Sequence, residues 1–179
     1  TLRDRFTAFG LTLHPGKTRL IEFGRQAIHN RQQRGEGKPE TFGFLGFTHI
    51  CTLNRKGRFF LKRVTIAKRL RKKVREVTDI LRRAMHKPVY EVGRWLASVL
   101  RGFVAYHGVP GNLEALKRFR DLIAKIWFRV LRRRSQKGKS LTWARFTWIL
   151  DSYLPHVRVC HPFPNVRFDA NTRGRSRMR

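Results

Sequence analysis

The apolar spacing of the first 62 residues changes over short distances, as expected for a small unit of mixed helix and strand. Residues 2–11 repeat apolar side chains at helical spacing as far as Gly10, which predicts the end of an amphipathic helix. Residues 17–23 show a loosely alternating, β-branched pattern that predicts a strand. Residues 24–40 are rich in Gly, Gln, Arg and Lys, so an exposed loop is expected there.

The next segment is rich in aromatic residues and predicts an antiparallel hairpin. Residues 42–50 form the second predicted strand, which is interrupted by glycines, and 58–61 form the third. Between them, 54–57 reads Asn-Arg-Lys-Gly, a sequence typical of a hairpin turn. If 42–50 is one strand, alternation places Phe42, Phe44 and Gly46 on one face and Leu45 and Phe47 on the other.

From residue 64 onward the apolar period lengthens to three and four, which predicts amphipathic helices. Short connections between three such helices favour a three-helix bundle, because short loops join antiparallel neighbours. The first stripe is Ala67, Leu70, Val74, Val77, Leu81 and Ala84; the second is Val92, Leu96, Val99 and Phe103; the third is Leu116, Phe119, Ile123, Ile126 and Val130.

The remaining residues predict a short fourth helix and an extended end. Residues 141–150 carry Trp143, Phe146 and Ile149 at helical spacing, and three prolines follow within 155–164. The fold class predicted for the whole chain is therefore α+β. We expect an α/β unit with an antiparallel hairpin over 1–62, a helical unit over 63–155 and an extended basic tail over 156–179.

Charge narrows the possible functions. The chain has 179 residues with 41 Lys and Arg against 11 Asp and Glu, a formal net charge of +30. A folded protein of this size repels itself strongly unless a polyanion neutralises it, and nucleic acid is the polyanion that rewards a basic surface through counterion release. A membrane surface is the alternative. The apolar residues, however, recur in several segments that can bury one another, which favours nucleic acid and no membrane partner.

Cysteine usage adds little chemistry. Cys51 and Cys160 are far apart in sequence, so neither a disulfide framework nor paired zinc ligands are indicated. Cys160 and His161 are adjacent, but two ligands do not make a zinc site, and no metal is predicted. The apolar runs are short, and no charged-then-apolar leader opens the sequence, so an intracellular, cytoplasmic protein is expected. The first residue is Thr within a helical pattern, as expected of a fragment of a longer chain.

Several segments together resemble group II intron reverse transcriptases. Residues 9–11 (Phe-Gly-Leu), 13–19 (Leu-His-Pro-Gly-Lys-Thr-Arg) and 21–25 (Ile-Glu-Phe-Gly-Arg) are similar to a late motif of the palm of that family. Residues 42–48 (Phe-Gly-Phe-Leu-Gly-Phe-Thr) resemble its next motif, a β-hairpin. Residues 62–134 resemble the thumb, which is also called the maturase domain. Further matches in the expected order are Gly102-Phe103, Tyr106-His107-Gly108, Trp127 and Arg132-Arg133-Arg134-Ser135-Gln136.

The resemblance implies a palm end followed by a thumb that grips group II intron RNA during splicing and an RNA–DNA duplex during reverse transcription. It also implies that the hairpin residues Phe44, Leu45, Gly46 and Phe47 touch the primer end. Lys17, next to the incoming triphosphate in the matching motif, would assist the leaving pyrophosphate in a complete enzyme. Without the resemblance, Lys17 is one solvated loop lysine among many.

The chain departs from the family in its acidic residues. The family binds Mg²⁺ through paired aspartates, whereas this sequence contains no Asp-Asp pair and its acids are scattered. Two-metal phosphoryl transfer needs carboxylates that converge on the cations. We therefore expect no polymerase activity and no cofactor in this chain alone, and the resemblance implies that the catalytic palm half lies on a missing or separate chain. A generic basic nucleic-acid-binding protein is the remaining alternative.

Two basic clusters are the predicted RNA-binding residues. Charged helix faces are usually only solvated, but here the excess of one sign is too large for paired surface salt bridges. About six phosphate contacts would lower the affinity by on the order of 10³-fold between 50 and 200 mM salt. The residues are Lys68, Arg69, Arg71, Lys72, Lys73 and Arg75 in the first cluster, and Arg129, Arg132, Arg133, Arg134, Lys137 and Lys139 in the second.

Aromatic residues outside the hairpin are expected mainly in the core. Tyr106 is able to stack on an unpaired base, but a position at the edge of the bundle core is favoured. The four tryptophans, Trp95, Trp127, Trp143 and Trp148, are also predicted to be core residues.

Overall fold

The computed structural model describes residues 2–16, 18–54 and 56–163 and confirms the α+β class. Lys17 and the end of the predicted basic tail lie outside the described residues. The strands form one antiparallel sheet in the order β1-β2-β3. The elements are α1 Leu2–Ala8, α2 Ala27–Gln33, β1 Phe42–Phe44, β2 Phe47–Leu53, β3 Phe59–Thr65, α3 Ala67–Arg83, α4 Val89–His107, α5 Leu113–Arg133, α6 Gln136–Lys139 and α7 Trp143–Tyr153.

The described chain divides into two compact units. The first contains residues up to Thr41 together with Ile50–Leu61, and the second contains Phe42–His49 together with the chain from Lys62 onward. The aromatic hairpin of β1 and the start of β2 therefore belongs to the helical unit. This membership matters for function, because the hairpin and the basic helices are parts of one compact body.

In the first unit, two sequence predictions were wrong. The described residues of the predicted strand 17–23 are not in a strand, and Leu20 is fully exposed, because alternation alone gives no strand without a pairing partner. The predicted loop 24–40 contains helix α2, which buries Ala27. This helix is short and has no apolar stripe, so its period is invisible in the sequence.

Ion pairs order the segment around α2. The Arg34 guanidinium bonds to the carboxylates of both Glu22 and Glu36, and Arg19 pairs with Glu40 at 3.3 Å. Hydrogen bonds from Arg34 hold the pKa of Glu22 and of Glu36 below the ordinary value. Acids of the first unit are thus engaged within that unit.

The helical unit is built around α5. Helices α3, α4, α6 and α7 all pack against α5, which explains why its apolar stripe is the most completely buried. Trp127, Phe119 and Phe146 have no exposed surface and form the centre of the core. The predicted three-helix bundle is confirmed, with α7 packed across α4 and α5.

The predicted strand 42–50 is in fact two strands. β1 and β2 are joined by Leu45 and Gly46, and Phe44 pairs with Phe47 across this two-residue turn. The predicted alternation of faces was therefore wrong, because the turn reverses the chain between Phe44 and Phe47. A glycine in an aromatic run was taken for an interruption, whereas it completes a turn.

Two further predictions for the helical unit need correction. Trp148 is 81% exposed and Trp143 is 44% exposed, so only Trp127 is fully in the core, while Trp95 is half-buried. The start of the predicted tail packs on the unit, because Cys160 N and His161 N donate hydrogen bonds to Gly108 O at 2.8 and 3.0 Å. Prolines predicted an extended chain correctly but carry no signal for docking.

Candidate nucleic-acid interface

The turn of the aromatic hairpin has an unusual backbone. Leu45 and Gly46 both have positive φ, at 46° and 84°, as in the type I′ turns that join tightly paired strands. Positive φ is easy for Gly46 but strained for Leu45, whose side chain crowds the following peptide. Backbone strain of this kind concentrates at functional sites, which marks the turn for attention.

Three contacts hold this turn against the helices. The Tyr106 hydroxyl, near the end of α4, donates a hydrogen bond to Leu45 O at 2.7 Å. Ile66 N, at the start of α3, donates to Gly46 O at 3.0 Å. The Phe47 ring stacks on the Tyr106 ring with centroids 5.8 Å apart. The strained turn is therefore fixed at the junction of α3 and α4.

The four predicted hairpin residues divide into two groups. Phe44 and Leu45 are 58% and 64% exposed, so both are available to a partner at the tip. Gly46 and Phe47 are buried and support the tip from below. The structure therefore separates the predicted contact residues into a presented pair and a supporting pair.

A buried polar network lies beneath the hairpin. The Asn112 side chain accepts a hydrogen bond from Thr65 N at 2.9 Å and donates to Thr65 Oγ1 and His107 O, each at 2.8 Å. His107 Nδ1 lies 3.2 Å from Thr65 Oγ1. Burial, with a smaller contribution from the Arg69 cation, lowers the pKa of His107. The network ties the end of β3 to the end of α4 and the start of α5.

The predicted basic cluster of α3 is solvent-facing. Lys73 is half-buried and pairs with Glu76 at 3.3 Å, an exposed pair of little energetic weight. The rest of the cluster is exposed and, within the described residues, has no carboxylate partner; these residues are Lys68, Arg69, Arg71, Lys72 and Arg75.

Arginines line two grooves along the seam between α3 and α5. The two helices run in the same direction, since their N-terminal halves line one groove and their C-terminal halves line the other. The groove volumes are about 360 and 430 Å³, and no acidic residue lines either one. Arg71, Arg75 and Arg118 line the first groove, and Arg82, Arg129 and Arg133 line the second.

The predicted cluster at the end of α5 continues this seam. Arg129, Arg132, Arg133 and Lys139 line a further open groove of about 540 Å³ around the Phe128 ring. The Arg132 guanidinium lies over that ring, 5.7 Å from its centroid, and also donates to Lys139 O at 3.3 Å. Arg132 is therefore held in place before any ligand arrives.

Not every predicted residue of this cluster faces the seam equally. Arg134 is half-buried and donates to His86 O at 3.3 Å, which gives it a structural role at the end of α5. Lys137 lies in α6 and is exposed, but no groove described above is lined by it. The two predicted clusters thus lie at the two ends of the α3–α5 seam.

Three residues at this surface were missed or misplaced by sequence reasoning. Arg118 and Arg82 line the seam grooves but were not among the predicted contacts, because the sequence does not show that α3 and α5 are neighbours. Tyr106 was expected in the core, yet its ring is 54% exposed. Its position seven residues after the core stripe residue Val99, on a different part of the helix, was the available signal.

Metal and membrane features were also sought in the described part of the chain. Within residues 2–16, 18–54 and 56–163, no three His, Cys, Asp or Glu side chains are grouped to hold a metal ion. None of the described helices combines the length and apolar character needed to cross a bilayer.

This chain matches no known protein family, no curated protein and no solved structure.

Proposed function

We propose that this chain binds structured RNA along the α3–α5 seam, as the thumb segment of a group II intron-encoded reverse transcriptase, or maturase. The observation that carries the proposal is the run of six arginines along two grooves whose lining contains no acid. Phosphate recognition by arginine is strong because the guanidinium forks match phosphate oxygens in pairs. The motif resemblance supplies the choice of group II intron RNA, and with it a bacterial cytoplasmic location.

The geometry supports a folded RNA better than a specific base sequence. A-form RNA duplexes are recognised by shape and by phosphate and 2′-hydroxyl contacts, for which a basic helical surface is suited. The seam extends over the length of α3, a helix of 17 residues, so its length is about 25 Å. That length spans several phosphates of one strand and explains why many cations are aligned.

A filter-binding titration tests the proposal. A group II intron transcript and an unrelated RNA of equal length are titrated with the chain at 50 and 200 mM salt. We expect tighter binding of the intron RNA and an affinity loss on the order of 10³-fold between the two salt concentrations. Equal affinity for both RNAs contradicts the maturase assignment and leaves a generic nucleic-acid-binding protein.

A charge-matched pair of variants tests the location. Replacing Arg71, Arg75 and Arg118 by Gln removes three seam cations, and replacing Arg94, Arg101 and Arg145 by Gln removes three exposed cations from α4 and α7. Each lost phosphate contact lowers the salt slope by about 0.7–0.9, so the seam variant should lose about 2–3. The control variant should lose less than about one, and equal losses contradict the assignment of the seam.

The hairpin favours a second function, participation in RNA-directed DNA synthesis. Phe44 and Leu45 stand exposed at a strained and anchored turn, as a primer-contacting hairpin requires. This function needs the catalytic carboxylates and Mg²⁺ of a separate palm half. Adding a palm fragment from a group II intron reverse transcriptase should then give primer extension that Leu45→Gly weakens. Extension that Leu45→Gly leaves unchanged would remove the hairpin from the function.

A further inference from the structure

A cleft between α3 and α4, separate from the α3–α5 seam, combines cations with aromatic rings. Its volume is about 450 Å³, within the range of sites that bind small molecules. Arg69 and Lys73 of α3 form one wall, and Trp95, Gly102 and Tyr106 belong to the α4 wall. None of the residues lining this cleft is acidic.

Tyr106 is a rigid stacking platform at one end of this cleft. One face of its ring packs on Phe47, with an interplanar angle of 16°, and its hydroxyl is fixed to Leu45 O. More than half of the side chain nevertheless remains exposed. A ring held in place before binding loses little conformational freedom when a flat partner stacks on it, which favours affinity.

The cations lie within reach of that ring. A Cβ placed on Gly46 would be 3.7 Å from Arg69 Nη1 and 3.8 Å from Tyr106 Cε1, so the guanidinium and the ring edge share one neighbour. Lys73 follows Arg69 by one helical turn on the same wall. An anion bound by this pair therefore lies beside the stacking surface.

Gly102 keeps the opposite wall low. It lies in the middle of α4, where a Cβ would meet no atom within 4 Å. A side chain of any length at this position would extend into open space at the cleft. A glycine within a helix lowers its stability, so the space that it leaves is notable.

We propose that this cleft binds one unpaired nucleotide of an RNA, with its base stacked on Tyr106 and its phosphate held by Arg69 and Lys73. This inference rests on the proposed RNA-binding function and adds a site for a nucleotide outside the duplex. Base stacking on an aromatic side chain contributes about 1–3 kcal/mol by alanine substitution, or about 5- to 150-fold in affinity. A preference on the order of tenfold for RNA with an unpaired nucleotide is therefore expected.

The test compares two hairpin RNAs that differ by a single bulged adenosine in the stem. Fluorescence anisotropy measures the binding of each RNA to the full chain at one fixed salt concentration. The wild-type chain should bind the bulged RNA about tenfold more tightly. Gly102→Leu, which fills the cleft, and Tyr106→Ala, which removes the platform, should each abolish most of this preference and change binding of the plain hairpin less than about twofold.

Two matched controls separate blocking from unfolding. Gly102→Ala adds only one methyl group at the same position, and Tyr106→Phe keeps the ring while removing its hydrogen bond to Leu45 O. Both should retain most of the preference. A urea unfolding midpoint for each variant checks that the helical unit is intact, and because two independent variants address the cleft, one unfolded variant leaves the test valid.

The outcomes distinguish this site from the function on which it rests. Equal binding of the two hairpins by the wild-type chain overturns the nucleotide site and leaves RNA binding along the seam intact. A preference that persists in both Gly102→Leu and Tyr106→Ala also overturns it, because the bulge is then recognised elsewhere. Failure to bind either hairpin overturns both proposals together.

Discussion

Two glycines of helix α4 should respond to the same substitution with opposite signs. Gly93 is buried, and a Cβ there would lie 2.5 Å from Cγ of Tyr153 and 2.7 and 2.8 Å from the two Cδ atoms of that ring. Gly102 has no atom within 4 Å of the same position. The glycines share one helix and one helical unit, so they form an internal control for each other.

The magnitudes follow from two opposing effects. Ala is favoured over Gly in a helix interior by about 0.8–1.0 kcal/mol, so Gly102→Ala should raise the free energy of unfolding by about 1 kcal/mol. At Gly93 the methyl group must displace the base of the Tyr153 ring, and such overpacking costs about 1–3 kcal/mol or more. Because the contact is far below van der Waals distance, we expect Gly93→Ala to lower the free energy of unfolding by about 1–2 kcal/mol.

Urea unfolding followed by far-UV circular dichroism measures both effects. With a urea dependence of about 1–3 kcal/mol per molar, each change moves the midpoint by roughly half a molar to one molar, in opposite directions. Tyr153→Ala should make Gly93→Ala harmless in the double variant, since the ring is the obstacle. The packing of α7 on α4 is wrongly described if Gly93→Ala stabilises the protein as much as Gly102→Ala does.

Four other predictions concern the network, the turn and the chemistry. Asn112→Ala orphans the buried Thr65 N–H and should cost about 3 kcal/mol in urea unfolding, against about 1 kcal/mol for the exposed cap variant Thr142→Ala; equal losses contradict the network. Leu45→Asn should raise the unfolding midpoint, because Asn tolerates positive φ; a lower midpoint contradicts backbone strain at this turn. The pKa of His107 is lowered in the folded state, so the unfolded state binds its proton more readily and stability should fall as pH drops below about 6.5, a fall that His107→Gln should reduce; an unchanged pH profile in that variant refutes the assignment. Primer extension by this chain alone with Mg²⁺ should be undetectable, and any extension shows that the analysis of the missing carboxylates is wrong.

The candidate interface was partly visible in the sequence. The excess of positive charge and the positions of its two clusters predicted exposed cations on α3 and at the end of α5, and the structure places most of them on the surface. Arg134 is the exception, since it is half-buried at the end of α5. The type of partner remains a proposal, because charge by itself indicates a polyanion and the motif resemblance alone indicates an intron RNA.

The sequence by itself determined which segments of the helical unit are helices and which side of each is buried. Leu70, Leu96 and Phe119 lie on the stripes that helical spacing predicted, and all three are in the core. Helical period is a local property, so it is encoded by residues a few positions apart. The short helix α2 and the false strand at 17–23 show the limit, since short segments depend on partners that the local pattern does not contain.

Only the tertiary structure decided which residues of different helices became neighbours. Arg118 faces Arg71 across the seam because α3 and α5 run side by side, and Tyr106 meets Leu45 across 61 positions of sequence. Such contacts depend on the packing of several helices at once, which no single stripe specifies. The seam and the nucleotide cleft are both products of this packing: the sequence provides the cations and rings, and the arrangement of helices turns them into surfaces.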